Sequence, residues 1–398
     1  VSAMPETVLA LDAVPLTSLP VVGVLDQEES STGVTYRRLP AWTRAQIVDL
    51  AQQLVLTMPA GGRLAFRTDS RVLELDVMLT AFQFADLPLR PVTFDLVVDD
   101  EVVTTLAAED HHTLRVTGPL PEDRTLVPGA PTTLRFALPG TRERAVEVWL
   151  PHGAVLEMRG ARVESGTTLE PLASERRRWV HHGSSISHCL EAERPTETWP
   201  ALAARRAGVE LLNLGFGGQC MLDQHVARTI RDLEAELISL KLGINVVNGD
   251  TMRERTFRPA VHGFLDTVRD GHPDTPLLVI TPITCPSAED HPGPTVPDQD
   301  GRYGVLPRSE QLSTGALTLG RIRGILTEVV TSRQQAGDDN LHLLDGRELF
   351  GTDDLALLPD GLHPDAQGYL LMGERFHAHA FAPDGPFVRY RHTTCGGQ

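Results

Sequence analysis

RWVHHGSSISHC, residues 178–189, sets a short apolar run directly before a glycine and a cluster of hydroxyl side chains. Trp179 and Val180 read as strand, Gly183 permits a sharp turn, and Ser185 then projects from the loop or from the first turn of a helix. In an α/β sheet, ligands sit beyond such carboxyl ends of strands. Taken alone, the twelve residues fit a metal cluster, a nucleophilic serine, or a turn in which a serine caps a helix. Strand alternation sends His181 and His182 to opposite faces, so they make a poor pair of metal ligands. His188 and Cys189 find no third and fourth partner at zinc-like spacing. Neither metal nor cofactor is expected. His182 can line a pocket and His188 can sit on the first helix. The G-x-S-x-G elbow is not met, because Ser187 stands at its second glycine.

Reading outward, the downstream chain alternates apolar runs with helical stretches. VELLNLG, LISLKLG, PLLVITPI and LHLLDG are strand-like, and the segments between them carry helical periodicity. Strand and helix in strict alternation, joined by short connections, predict a parallel sheet flanked by helices. Upstream, RLAFRT, VLELDVML, PVTFDLVVDDEVV, HTLRVTG, TTLRFALPG, RAVEVWLP and AVLEMRGARVE alternate with period two between turn signals. That pattern predicts an all-β sandwich. The first ~35 residues are expected to be partly irregular, and TRAQIVDLAQQLVLTM to hold a short helix. The boundary falls in SERRR, which gives a β-sandwich over 1–175 and an α/β domain over 176–398. The polar, proline-rich stretch 285–311 reads as a loop without regular structure, of the kind that forms lids or specificity loops at the rim of such sheets.

The 398 residues suffice for two domains, and 41% hydrophobic with 22% charged residues is a globular composition. A net charge of −17 and a pI near 5.3 argue against nucleic acid as a partner. No apolar run reaches the ~20 residues that span a bilayer. The first twenty residues show no basic region leading into an apolar one, so a cytoplasmic protein is expected. Cys189, Cys220, Cys285 and Cys395 show no paired spacing and are expected as free thiols. His111-His112 is expected in a solvated sandwich loop. The RERTFR stretch, 253–258, reads as a solvated helix start that can also meet an anionic substrate.

A serine nucleophile requires a base, a group that orients the base, and donors for an oxyanion. LPDGLHPDAQGY, 358–369, offers Asp360 three residues before His363. A carboxylate at that spacing can fold onto Nδ1–H and leave Nε2 free to take a proton. NLGFGGQC, 213–220, offers the backbone N–H of Gly218, and LKLGINVVNG, 240–249, offers the side-chain amide of Asn245. Each lies at the end of an expected strand or in a loop on the same rim.

In these four blocks the chain resembles the SGNH/GDSL family of serine esterases and acyltransferases. Gly183-Ser184-Ser185-Ile186 answers to G-D-S-[LI], Asn213 to Gly218 to N-x-G-x-x-G, Gly243-Ile244-Asn245 to G-x-N, and Asp360 to His363 to D-x-x-H. Two positions depart from the pattern. Ser184 replaces an aspartate, and Val246 replaces the aspartate that often follows the block-three asparagine. The resemblance implies a three-layer α/β/α fold like flavodoxin, with Ser185, Asp360 and His363 as the triad. It implies an oxyanion hole from the N–H groups of Ser185 and Gly218 and the amide of Asn245. The expected activity is hydrolysis of a small-molecule ester, or transfer of its acyl group, from an ester or thioester, to an alcohol. The 285–311 loop and the sandwich are the expected shapers of the acceptor side. A non-catalytic ligand-binding protein is the alternative of another class, and the intact set of five residues speaks against it.

Overall fold

The computed structural model describes residues 9–84, 87–118, 121–140 and 142–388. The chain divides into two compact units. One comprises Val1–Arg38 and Thr57–Ser174, the other Leu39–Leu56 and Glu175–Gln398. A single cut near residue 175 therefore misplaces one segment, because 39–56 is counted with the second unit.

In the first unit, period-two strands build two sheets, of eight and six strands among the described residues. In the larger sheet Val72–Phe84 is central. It pairs with Ala154–Glu164 and Thr132–Ala137 in antiparallel fashion and with His112–Val116 in parallel. In the smaller, Arg144–Trp149 lies between Arg63–Thr68 and Thr93–Val98. Leu73, Leu75, Val77 and Leu79 from one sheet and Phe66, Phe94, Leu96 and Val148 from the other share one buried core. That shared core makes the unit a sandwich. Thr93–Val98 and Glu101–Ala107 form a hairpin whose two linking residues, Asp99 and Asp100, both have positive φ, the conformation that a tight turn between twisted strands demands. The expected irregular N-terminus instead supplies short strands at Leu11–Ala13, Val21–Val22, Asp26–Glu29 and Val34–Arg37. His112 is not in a solvated loop. It opens a strand, and its Nδ1 accepts the N–H of Gly129 at 3.0 Å.

The second unit is built on a five-stranded parallel sheet. Its spatial order is Glu210–Gly215, Arg178–Gly183, Leu237–Lys241, Leu277–Ile280, Leu341–Leu344. All residues of Leu237–Lys241 and Leu277–Ile280 are buried, as befits strands covered on both faces. Trp179 faces the helix Ala366–Ala380, its ring stacked on Phe376 at 4.9 Å. His182 points the other way and stacks on Phe264 of Glu254–Gly271. Counted along the chain, the strand order is 2-1-3-4-5. The crossover direction thus reverses between Arg178–Gly183 and Leu237–Lys241, and a crevice opens there at the carboxyl ends. Leu50–Leu56 is the expected short helix. Within this unit Gln52 reaches Nε2 of His225 at 3.3 Å, and Arg228 lies over the ring of Trp42.

Candidate active site

At the end of Arg178–Gly183 the chain turns into a four-residue helix, Ser185–His188, with Ser185 in its first position and the Ser184 hydroxyl accepting the N–H of Ile186. The turn is tight enough to require its glycines. A Cβ on Gly183 would fall 2.2 Å from Ser187 Oγ, and one on Gly215 would fall 2.5 Å from the backbone carbon of Ser187. Serine therefore replaces aspartate at 184 without loss of the cap, since an N-cap needs only a side-chain oxygen.

Ser185 Oγ lies 2.9 Å from Nε2 of His363. Nδ1 of the same ring lies 2.7 Å from Oδ2 of Asp360. The other oxygen, Oδ1, accepts the backbone N–H groups of Leu362 and His363. A carboxylate held at three points fixes the imidazole with its proton on Nδ1, which leaves Nε2 as the acceptor toward Ser185. Burial pushes the Asp360 carboxyl up, but the hydrogen bonds and charge of His363 and the two N–H groups outweigh it. The net position is below the ordinary carboxylate value.

Asn245 is buried, and its Oδ1 accepts the N–H of Cys220 at 3.0 Å. The carbonyl end being used, the amide presents its two N–H bonds. Gly218 has φ +70°, and a Cβ there would meet nothing within 4 Å. The Gly217 peptide borders Ser185, since a Cβ on Gly217 would lie 3.9 Å from Ser185 Cβ. Ser185 and His363 are thus in direct contact, with Asp360 on the far side of the ring. The turns that carry Gly218 and Asn245 follow the two strands on either side of Arg178–Gly183.

Sequence reasoning named Asn213, His181 and His182 but missed their contacts beneath this turn. Asn213 sits across the sheet from His181 in register. Its amide donates to Ser187 O at 3.0 Å, and its Oδ1 accepts the N–H of Gly215 at 2.8 Å. His181 bridges Ser239 Oγ at 2.7 Å and Ser187 Oγ at 2.8 Å. Burial, with His182 and Lys241 nearby, holds its pKa well below the ordinary value. His182 bonds the carbonyl of Leu214, and burial holds it down to about 4. Both rings are therefore neutral structural groups at pH 7. Cys189, Cys220 and Cys285 are buried free thiols, and Cys395 lies outside the described residues. In RERTFR, Arg253 pairs with Asp250 and Arg258 with Glu328.

The 285–311 stretch is more ordered than its composition suggests. Thr295–Pro297 and Tyr303–Val305 form a hairpin. The turn between them is closed by Asp298, whose Oδ1 accepts the N–H groups of Asp300 and Arg302. Near its start, Arg308 holds the carbonyl of Gly293 and, at 3.0 Å, Asp250. Gly293 lies so close to the helix Ile244–Asn248 that a Cβ would fall 1.8 Å from Val247 O. At the other end, Tyr303 N–H donates to the carbonyl of Asp360 at 2.7 Å. The hairpin is a strap between the Asn245 helix and the Asp360–His363 turn.

Residues 176–289 match the sequence model of the GDSL-like lipase/acylhydrolase family. The chain carries a GDSL-like lipase/acylhydrolase domain. The matched span includes Ser185, Gly218 and Asn245 and ends before Asp360 and His363. Over nearly its whole length the chain is similar to the solved structure of a salicylyl-acyltransferase, SsfX3, from a tetracycline biosynthetic pathway. The identity is 25% and the TM-score 0.75, with 93% of this chain and 96% of that one covered. A Bacteroides ovatus protein described as GDSL-like lipase gives 20% identity and a TM-score of 0.67, covering 96% and 99%. A family two carbohydrate esterase from Clostridium thermocellum gives 12% and 0.55, covering 93% and 97%. At these lower identities the likeness is one of fold. No curated protein sequence matches the chain. Among the described residues, no helix is long and apolar enough to cross a membrane.

Proposed function

We propose that the protein transfers acyl groups through an ester of Ser185, releasing them to water or to an alcohol. The contact of Ser185 Oγ with Nε2 of His363 at 2.9 Å carries the reading. His363 takes the serine proton as Oγ attacks the carbonyl of an ester or thioester, and Asp360 holds the ring and balances the imidazolium. The N–H groups of Ser185 and Gly218 and the amide of Asn245 receive the oxyanion. His363 then returns its proton to the leaving group. Water or an alcohol, deprotonated in turn by His363, releases the acyl group.

Hydrolysis and transfer share the first half of this cycle. The family match supports both. The 25% identity to a salicylyl-acyltransferase across both units favours transfer as the second reading. A time course with p-nitrophenyl acetate tests the scheme. Wild type is expected to give a burst of p-nitrophenol and an acetylated protein in the mass spectrum. Ser185→Ala should lose both and fall by at least roughly 1000-fold in turnover. Equal activity in Ser185→Ala would sink the reading.

A further inference from the structure

The imidazole of His363 has an aromatic neighbour on the strap. The ring of Tyr303 stands nearly perpendicular to the imidazole, with centroids 5.5 Å apart. Tyr303 also lines a cavity of about 440 Å³ together with Pro286, Arg302, Leu355, Leu358 and Pro359. That volume lies within the range of small-molecule sites, roughly 300–1,000 Å³. Burial, with the carboxylates of Asp360 and Glu191 near, pushes the Tyr303 phenol above its ordinary value, so it stays protonated at neutral pH. One side chain thus stands against the general base and also bounds a space beside it that is apolar along Pro286, Leu355 and Leu358 and polar along Arg302 and Asp360. The strap pins that side chain, because the Tyr303 N–H is bonded to the backbone of Asp360 itself.

We propose that this cavity holds the carbon framework of the acyl acceptor, an alcohol with an apolar body, and that Tyr303 is the specificity-determining residue that favours it over water. The inference rests on the acyl-enzyme reading above. The acceptor oxygen bonds to the acyl carbon as the bond from that carbon to Ser185 Oγ breaks. The proton passes from the acceptor to Nε2 of His363 and on to Ser185 Oγ, so the step consumes no other reactant. Contact with the aromatic ring stabilises an alcohol that has apolar surface to bury and offers water nothing comparable.

The test supplies p-nitrophenyl acetate with benzyl alcohol or with methanol and quantifies acetylated alcohol against free acetate. Both products leave the same intermediate, so their ratio cancels any effect of a substitution on acylation. Tyr303→Ala is expected to lower the benzyl acetate to acetate ratio about fivefold, and Tyr303→Phe to keep it within about twofold, since the aromatic contact persists. Ala356 is exposed on the cavity wall. Ala356→Trp should fill the space and lower the benzyl ratio while leaving the methanol ratio unchanged. A merely structural tyrosine would depress both products together. An unchanged ratio in Tyr303→Ala, no effect of Ala356→Trp, or a wild type that yields acetate alone would each overturn the proposal. Loss of the acyl-enzyme reading would show separately, as a p-nitrophenol burst that does not depend on Ser185.

Discussion

Asn213 does for the Ser185 turn what Asp360 does for the His363 ring. Both ends of its amide are engaged, one on Ser187 O and the other on Gly215 N–H, and the side chain is fully buried. Asn213→Ala would remove a hydrogen-bond partner from both backbone groups, at about 1 kcal/mol each. We expect a lower midpoint in thermal unfolding and a fall in kcat that exceeds any change in KM, because the loss displaces Ser185 rather than a substrate contact. A variant with normal kcat would show that Ser185 keeps its place without this support. On the far side of the site, Asp360→Asn keeps the shape but not the charge. Turnover should drop by roughly 100- to 10,000-fold with the fold preserved, read from kcat alongside the far-UV spectrum. That Ser185, His363 and Asp360 come into contact was legible because the cues are local: a strand ending in glycine, and a carboxylate three residues before a histidine. Asn213 was legible only as the first position of a motif, because its contacts depend on register between two strands far apart in sequence, and register is written in no single segment.

The elements differ in how much of their form the sequence discloses. Parallel strands buried on both faces read as near-continuous apolar runs; LLVI is one, and LISLK is one broken by Ser239 and Lys241. The strap is the opposite case. Its strands are three residues long, and what closes it is the Asp298 carboxylate rather than any periodicity, so the composition pointed to a loop. Two glycines, one ending Glu210–Gly215 and one in the turn after it, make a contrast that can be measured. At Gly215 a methyl group meets the backbone at 2.5 Å, so Gly215→Ala must move the nucleophile's helix. At Gly218 the space is open and only the positive φ resists, a strain of about 1–2 kcal/mol. We expect Gly215→Ala to lose soluble yield or near-UV ellipticity, and Gly218→Ala to fold with reduced turnover. Equal folding of the two would mean that the helix can shift at little cost.

For the whole molecule, the 2-1-3-4-5 strand order fixes where the site lies, and alternation of strands and helices foretold the sheet though not that order. The same buried sheet makes stability depend on acid. His182 is held down to about 4, first by burial, and His181 well below its ordinary value for the same reason. Below pH ~6.5 the unfolded chain binds protons that the native protein refuses. Native stability from these rings is therefore complete above pH ~6.5 and lost progressively as pH falls toward 4. His182 alone can account for up to about 3 kcal/mol. Urea midpoints should decline steadily from pH 7 to 5, and His182→Gln should flatten that slope. An unaltered slope would assign the acid sensitivity elsewhere.

The segment 39–56 carries a further consequence, one of timing. Gln52 and its partner His225 lie 173 residues apart in the chain. At the ~5–20 residues per second of ribosomal synthesis, roughly 10–35 s pass between the emergence of one and of the other. Throughout that interval the Leu50–Leu56 helix has been made but the helix Gln224–Asp232 that receives it has not. The nascent chain thus carries an apolar segment without its cover while most of the intervening sandwich is being completed. A full-length chain diluted from denaturant faces no such wait, so folding on the ribosome and refolding in a test tube begin from different partners.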